Sequence, residues 1–322
     1  MASTTLSAKY LFLNFLVAAF ILTPGCSPDR SAGTIKVFSW TSTPQARNVI
    51  AGLEKGLARS LSVVDIGADY PTGVQLVRQL ASERLQLLVV LGTPALMLTA
   101  PEIKRTPVVF AMVADPYHTG AAYDKHHPED HQENITGIAS PPPLEEAIRQ
   151  GLKLFPARRH WGLIYDPYEG SSVELQQNFA DLAQKAGLTL TVQSLTDQRE
   201  AAAALEALEK QKVQVVFIPP DQNARRYSPL LLQKGAARCF VVVNGNPRIK
   251  GKGAVLSVTL DYEAVGRKAA DLANRLLAGA KPASIPIVHD SPVKLTVDEN
   301  LLSRWAGYPP ANRETRRRTL TP

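Results

Sequence analysis

Two cysteines in 322 residues are too few for a disulfide framework, and the paired Cys/Cys spacing of a zinc site is absent. GxSxG, HExxH, a Walker A loop and GxGxxG are missing as well. Beyond the first 25 residues no stretch reaches the roughly 18 unbroken apolar residues of a membrane span. The six histidines do not fall at metal-ligand spacing. Their densest group, His118, His126, His127 and His131 with Glu129 and Asp130, sits in the segment 117–134. It reads as a flexible polar loop and not a metal site, because nothing in it fixes ligand geometry. The net charge is +7, and part of the excess is RETRRR at 313–318. That run has no interleaved aromatics, so it reads as a solvated or membrane-grazing tail and not as a nucleic-acid surface. These absences lead to an expectation of no catalytic residues, no metal, no cofactor and no nucleic-acid partner.

What is present begins at the amino terminus. Lys9 precedes an apolar run from Tyr10 to Leu22. That run is too short to span a bilayer and suits the apolar region of a signal peptide. Leu22-Thr23-Pro24-Gly25-Cys26 resembles a bacterial lipoprotein cleavage box, with Thr23 and Pro24 departing from its usual residues. The expectation is a leader over 1–25, a lipid on the Cys26 thiol and a small, polar tether over 26–33. The chain then works outside the cytoplasm, anchored to a bacterial membrane. Cys239 is left unpaired, and its place at the head of CFVVV suggests a small buried hydrophobe.

From residue 34 apolar runs alternate with helical spacing. Strands are expected at 35–40, 61–66, 85–92 and 107–113, and again at 160–165, 189–195, 213–219 and 239–245. Helices fill the gaps, with Ser171-Ser172-Val173-Glu174 as a capping box for the helix ending at Lys185. LQLLVVLG (85–92) is apolar throughout, as a parallel strand buried on both faces should be. Two such series imply an α/β protein with two doubly wound parallel-sheet lobes. Ligands of such sheets bind in the loops after the strands. Those loops hold Ser42, Thr43, Gly92, Thr93, Pro94, Asp115, Tyr117, Tyr165, Ser171, Asp221 and Asn244. Thr43-Pro44 and Thr93-Pro94 each read as an N-cap hydroxyl before a first-turn proline, and such helix starts accept carboxylates.

LLVVLGTPA (87–95), TPVVFAMVADP (106–116), the long stretch 133–167, VQVVFIPPDQN (213–223) and GAVLSVTLDYEAVGRKAADLANRLLAGAKPASIPI (253–287) carry a family likeness. Over residues 34–305 the chain resembles the ABC-transporter substrate-binding lipoproteins of the tryptophan/tyrosine-type group. It departs from them at Ser42-Thr43-Pro44-Gln45, in the His-rich segment after Asp115-Pro116, and at Asn244-Gly245-Asn246-Pro247.

The resemblance implies the type I periplasmic-binding-protein fold with a three-strand hinge. The first lobe would take 34–139 plus 258–285, the second 140–257 plus 286–308, and a basic tail 309–322. Crossings are expected at 135–141, 254–261 and 285–292. It also implies closure of a monomer on a small polar ligand, an amino acid or a relative, and delivery to an ABC permease with a separate ATPase. Ser42 and Thr93 would hold a carboxylate, Asp115 or Asp221 an ammonium, and Tyr117, Tyr165 or Tyr262 would flank the side chain. A ligand sensor that signals to a membrane partner without transport would have the same sequence features. A hydrolytic lipoprotein would need a nucleophile–base pair that these loops do not offer.

Replacing Cys26 with Ser is expected to move the protein from the membrane to the soluble fraction. Fractionation checks this, and unchanged membrane retention of the variant would remove the lipid from the scheme.

Overall fold

The computed structural model describes residues 34–59 and 61–305. The expected leader, the Cys26 site, the tether and the basic tail lie outside the described residues. Among the described residues no helix is long and apolar enough to cross a membrane.

The first sheet is built from β1(Thr34–Ser39), β2(Ser62–Asp65), β3(Leu85–Leu91), β4(Val108–Val113) and β5(Ile135–Ala139), and α1(Pro44–Leu57), α2(Tyr70–Ser82) and α3(Thr93–Glu102) alternate with them. Its order is β2-β1-β3-β4-β5, all parallel. The second sheet follows α4(Leu144–Leu154). It comprises β6(His160–Tyr165), β7(Thr189–Ser194), β8(Val215–Ile218), β9(Val241–Asn244) and β10(Leu256–Leu260), with α5(Gly170–Lys185), α6(Ala201–Lys210) and α7(Ala224–Ala236) between them. Then come α8(Tyr262–Leu277), β11(Val293–Val297) and α9(Glu299–Leu302). The order is β11-β10-β9-β8-β6-β7, and only β11 runs antiparallel. The fold is therefore α/β with two parallel-sheet lobes.

Alternation along the central strands explains why each sheet carries helices on both faces. In β3, Leu88 and Val90 enter one core cluster, while Leu87, Val89 and Leu91 enter another. In β8, Val215 and Phe217 face one side and Val216 and Ile218 the other. A parallel strand buried on both faces can have no polar side, which is the apolar run read from the sequence.

The chain changes lobe three times. β5 leads into 140–143, β10 ends at Leu260 before α8, and 289–292 precede β11. These segments are tied together: Asp261 N–H donates to Pro292 O at 2.8 Å, and Ser291 Oγ donates to Ala139 O at 2.7 Å. The expected boundaries need correction here. Residues 258–260 pair within the second sheet, and Ile287 and Val288 are packed in the first lobe's core. α8 follows a strand of the second sheet but lies along α1 of the first lobe. The approach is backbone to backbone. A Cβ on Gly52 would stand 2.1 Å from Glu263 O, and one on Gly266 would stand 2.1 Å from Val49 O.

Three local expectations fail. Ser171 and Ser172 do not cap α5; the helix starts at Gly170 with Glu169 as N-cap and no side-chain cap bond. Ser172 is inside the helix and buried, because a buried carboxylate claims its hydroxyl. Thr93 is the first residue of α3, not its cap; that place falls to Gly92, at φ 103°. Cys239 is exposed, and it is Phe240 that turns into the core. The 117–134 segment folds back on itself through an Ala122–His131 bridge, with Ala121 and Ala122 buried. Among the described residues no group of three or more His, Cys, Asp or Glu is placed to hold a metal ion.

Gly266→Ala should lower thermal stability by about 1–3 kcal/mol, because the added methyl must push α1 and α8 apart. Gly170→Ala meets no atom within 4 Å and should be neutral or mildly stabilising. Denaturant or thermal melts of both variants check the contrast.

Candidate functional site

Both sheets switch direction at an inner strand pair, β1/β3 in one lobe and β6/β8 in the other. Loops diverge beyond such a point and leave a crevice. The crevices face each other as an interlobe cleft with two adjoining compartments. The larger, about 300 Å³, is lined by Thr43 and Gln45 at the start of α1, Met112 of β4, Glu169 and Ser171 at the start of α5, residues 220–222 after β8, residues 246–248 after β9, and Tyr262. The smaller, about 190 Å³, is lined by Thr93, Ala114, Ser140, Pro142, Pro143, Gly245 and Leu260, and it shares Met112, Pro220, Pro247 and Tyr262 with the first.

Of the residues expected from sequence, the structure brings Thr43, Thr93, Ser171, Asp221 and Tyr262 to this cleft. Thr43 Oγ1 is already engaged, accepting from Ala46 N at 3.1 Å as the cap of α1. Thr93 has no such duty and stands at the positive end of α3. Ser42, Gly92, Pro94, Asp115, Tyr117 and Tyr165 line neither compartment. Ser42 is exposed, and its carbonyl is held by Arg47 at 2.8 Å. Asp115 accepts from Tyr117 N and lies 2.8 Å from His118 Nδ1, so it orders its own turn. Tyr117 stacks on His289, with its hydroxyl 2.7 Å from Nε2. Asn244 braces the next loop: its Nδ2 donates to Asn246 O and Ile249 O, and its Oδ1 accepts from Asn246 N.

Asp221 is the most heavily constrained of these groups. Its Oδ2 accepts from Ser172 Oγ at 2.8 Å and its Oδ1 from Ala224 N at 2.8 Å. Ser172 Oγ in turn accepts from Asp166 N. Asn246 Nδ2 pins the loop through Pro219 O and Asp221 O. Burial pushes the Asp221 carboxyl up to about 6, the two donors pull against that, and the nearby charges of Glu169 and Asp166 add to it. Asp166 has its own cation, Arg226 at 2.8 Å. Asp221 has no such partner among the described residues and faces the cleft. Burial also raises the Tyr262 hydroxyl above its ordinary value, with Arg248 opposing.

Sequence reasoning missed Gln45, Met112, Glu169, Pro220, Gln222, Asn246, Pro247 and Arg248. Several sit in loops that directly follow strands, so their position was a usable signal. Gln45 is buried with Oε1 unpartnered. Met112 gave no signal. It sits at φ 58°, where the β4–β5 register shifts between Phe110 and Val113. The irregularity leaves it lining both compartments.

The sign of the Asp221 effect on stability follows from its raised pKa. The folded state keeps this proton where the unfolded chain, near 3.8, has lost it. Stability therefore falls as pH rises from about 4 to 6 and levels off above that. Asp221→Asn should raise the unfolding free energy above pH 6 by roughly 1–3 kcal/mol and leave it nearly unchanged below about pH 4. Melting at the two pH values measures this, and an equal gain at both would show that the charge is not the cause.

With the geometry in place, the likenesses to known proteins can be read. A family model described as ABC transporter substrate binding protein matches residues 45–305. A tyrosine-binding protein of Clostridioides difficile (strain R20291) is 21% identical over 234 residues, which are 73% of this chain and 67% of the relative. A ligand-free, open substrate-binding protein with adhesive properties from Clostridium difficile superposes with a TM-score of 0.75 at 20% identity, over 87% of this chain and 97% of that one. A Streptococcus pneumonia ABC domain in complex with L-Trp superposes at 0.62 and 23% identity, over 84% and 94%. At these identities the structural likenesses speak for the fold, that of the type I periplasmic binding proteins. The extent of the family match decides the rest: the chain belongs to the ABC transporter substrate-binding proteins, a family that binds and does not catalyse.

Proposed function

We propose that the protein is a lipid-anchored extracytoplasmic receptor that closes its two lobes on an amino acid or a close relative and delivers it to an ABC permease served by a separate ATPase. The observation that carries the ligand class is the polarity of the cleft. A buried carboxylate without a cation, Asp221, belongs to one lobe, and the free start of α3 at Thr93 belongs to the other. A zwitterion satisfies both: its ammonium pairs with Asp221 and its carboxylate with the α3 terminus. Tyr262 lines both compartments and offers an apolar face to the ligand's side chain. The relatives add direction, since one is named for tyrosine and another was solved with L-Trp. Asp115, the other ammonium candidate, is spent on its own turn and takes no part in this reading.

Calorimetric titration of the purified protein with L-tyrosine, L-tryptophan and small polar amino acids tests the proposal. At least one should bind saturably. Asp221→Asn should weaken it about ten- to a hundredfold, the size of one charge-assisted hydrogen bond in a dry cleft. Asp115→Asn should change affinity by less than about threefold, as for an exposed charge outside the site. Equal binding by Asp221→Asn and wild type would rule out the zwitterion model.

A further inference from the structure

A third cavity of about 950 Å³ adjoins the cleft and shares Gln45, Asn246, Pro247, Arg248 and Tyr262 with its larger compartment. Its wall is one face of the β10–β11 pair. The antiparallel register sets Ser257 opposite Thr296 and Thr259 opposite Lys294, so hydroxyls and an ammonium share that face. Leu256, Val258, Leu295 and Val297 turn to the other side, into the core of the second lobe. Most of the second sheet is covered by helices on both faces, but here the strands present polar side chains to open space.

Cations outnumber carboxylates in and around this groove. Arg248, Lys250 and Lys294 line it, and among the described residues none of the three has a salt-bridge partner. The three carboxylates on its rim are already engaged. Asp261 accepts from Ala264 N at 3.0 Å and Asp298 from Leu301 N at 2.9 Å, each as a helix cap. Glu263 holds both Lys55 and Arg267 at 2.8 Å. With Lys55 and Arg267 counted beside Glu263, five cations stand against three carboxylates and the balance is positive. Ser257 Oγ takes only a long bond from Asn244, at 3.5 Å, and remains able to donate.

We propose that this groove is a second ligand site, one that takes a small multivalent oxyanion of the phosphate or polycarboxylate class. Lys294 from β11 and Arg248 and Lys250 from the loop before β10 approach from different elements, which suits a ligand with more than one charged group. The Ser257, Thr259 and Thr296 hydroxyls supply hydrogen bonds across the floor. The volume is within the range of small-molecule sites. Arg248 and Tyr262 are shared with the cleft, but Lys250, Lys294 and the three hydroxyls lie outside it, so the inference does not depend on amino-acid recognition.

Inorganic pyrophosphate is the probe, titrated calorimetrically into the unmodified protein at fixed ionic strength. One saturable site is expected. The double variant Lys250→Gln/Lys294→Gln should bind at least about tenfold more weakly, the effect of losing charge-assisted bonds. Lys185→Gln, an exposed lysine outside the groove, should bind as wild type does. Both variants alter exposed side chains, and a thermal melt verifies their folding. Absence of saturable binding, or equal losses in the double variant and the Lys185 control, would overturn the proposal. Because the probe is not an amino acid, either result leaves the cleft reading to its own experiment.

Discussion

The contact on which the rest of the molecule depends is the backbone seam between α1 and α8. Gly52 and Gly266 remove the side chains that would separate the helices, and each stands against the other helix's carbonyl oxygen. Asn274 Nδ2 donates to Gly56 O, and Glu263 bridges to Lys55, so the seam is fastened along its length. Its functional weight comes from where the helices begin. α1 starts at the cleft with Thr43 and Gln45, and α8 starts there with Tyr262. A backbone-to-backbone contact has little slack, because interiors are close-packed and respond to single methylene changes. The seam therefore fixes the aromatic of the cleft relative to the first lobe, even though the strand that leads to it belongs to the second.

The acidic wall shows how neighbouring carboxylates acquire different work from their surroundings. Asp166 is paired with Arg226 at 2.8 Å. Asp221 is sealed behind Ser172 and the Asn246 clamp, with neutral donors only. A buried carboxylate compensated by dipoles alone holds its charge at a cost, and a cation arriving in the cleft relieves that cost. The same geometry that makes the Asp221 charge costly would favour a cation placed beside it.

Much of the architecture was legible in the sequence. Buried parallel strands such as LQLLVVL and VQVVFIP are continuous apolar runs, and helices such as REAAAALEALEKQ carry strong propensity. Both signals survive without tertiary context. The cleft was legible only as a set of loops. Which loop residue faces in is decided over distances that local patterns do not encode. Asp115 and Asp221 both follow strands beside prolines, yet one folds onto its own turn and the other into the cleft. The Ser171–Glu174 spacing imitates a capping box, while the hydroxyl of the next residue, Ser172, belongs to a carboxylate 49 residues away. Met112 is hidden inside a strand pattern because a bulge leaves no compositional mark.

The threading of α8 has a consequence for how the chain is made. The first lobe's strands are complete by Ala139, but one face of its sheet is covered by Val265, Ala269, Ala273 and Leu276, which come more than a hundred residues later. As the chain emerges from its amino end, Ile35, Val37, Leu87, Val89 and Val109 find only part of their cover, Val49, Leu53 and Leu57 of α1, until the whole second sheet except β11 has been laid down. Neither lobe is a contiguous piece of sequence. The core on this face is therefore completed late, and a half-covered sheet face stays open to a folding helper until α8 docks.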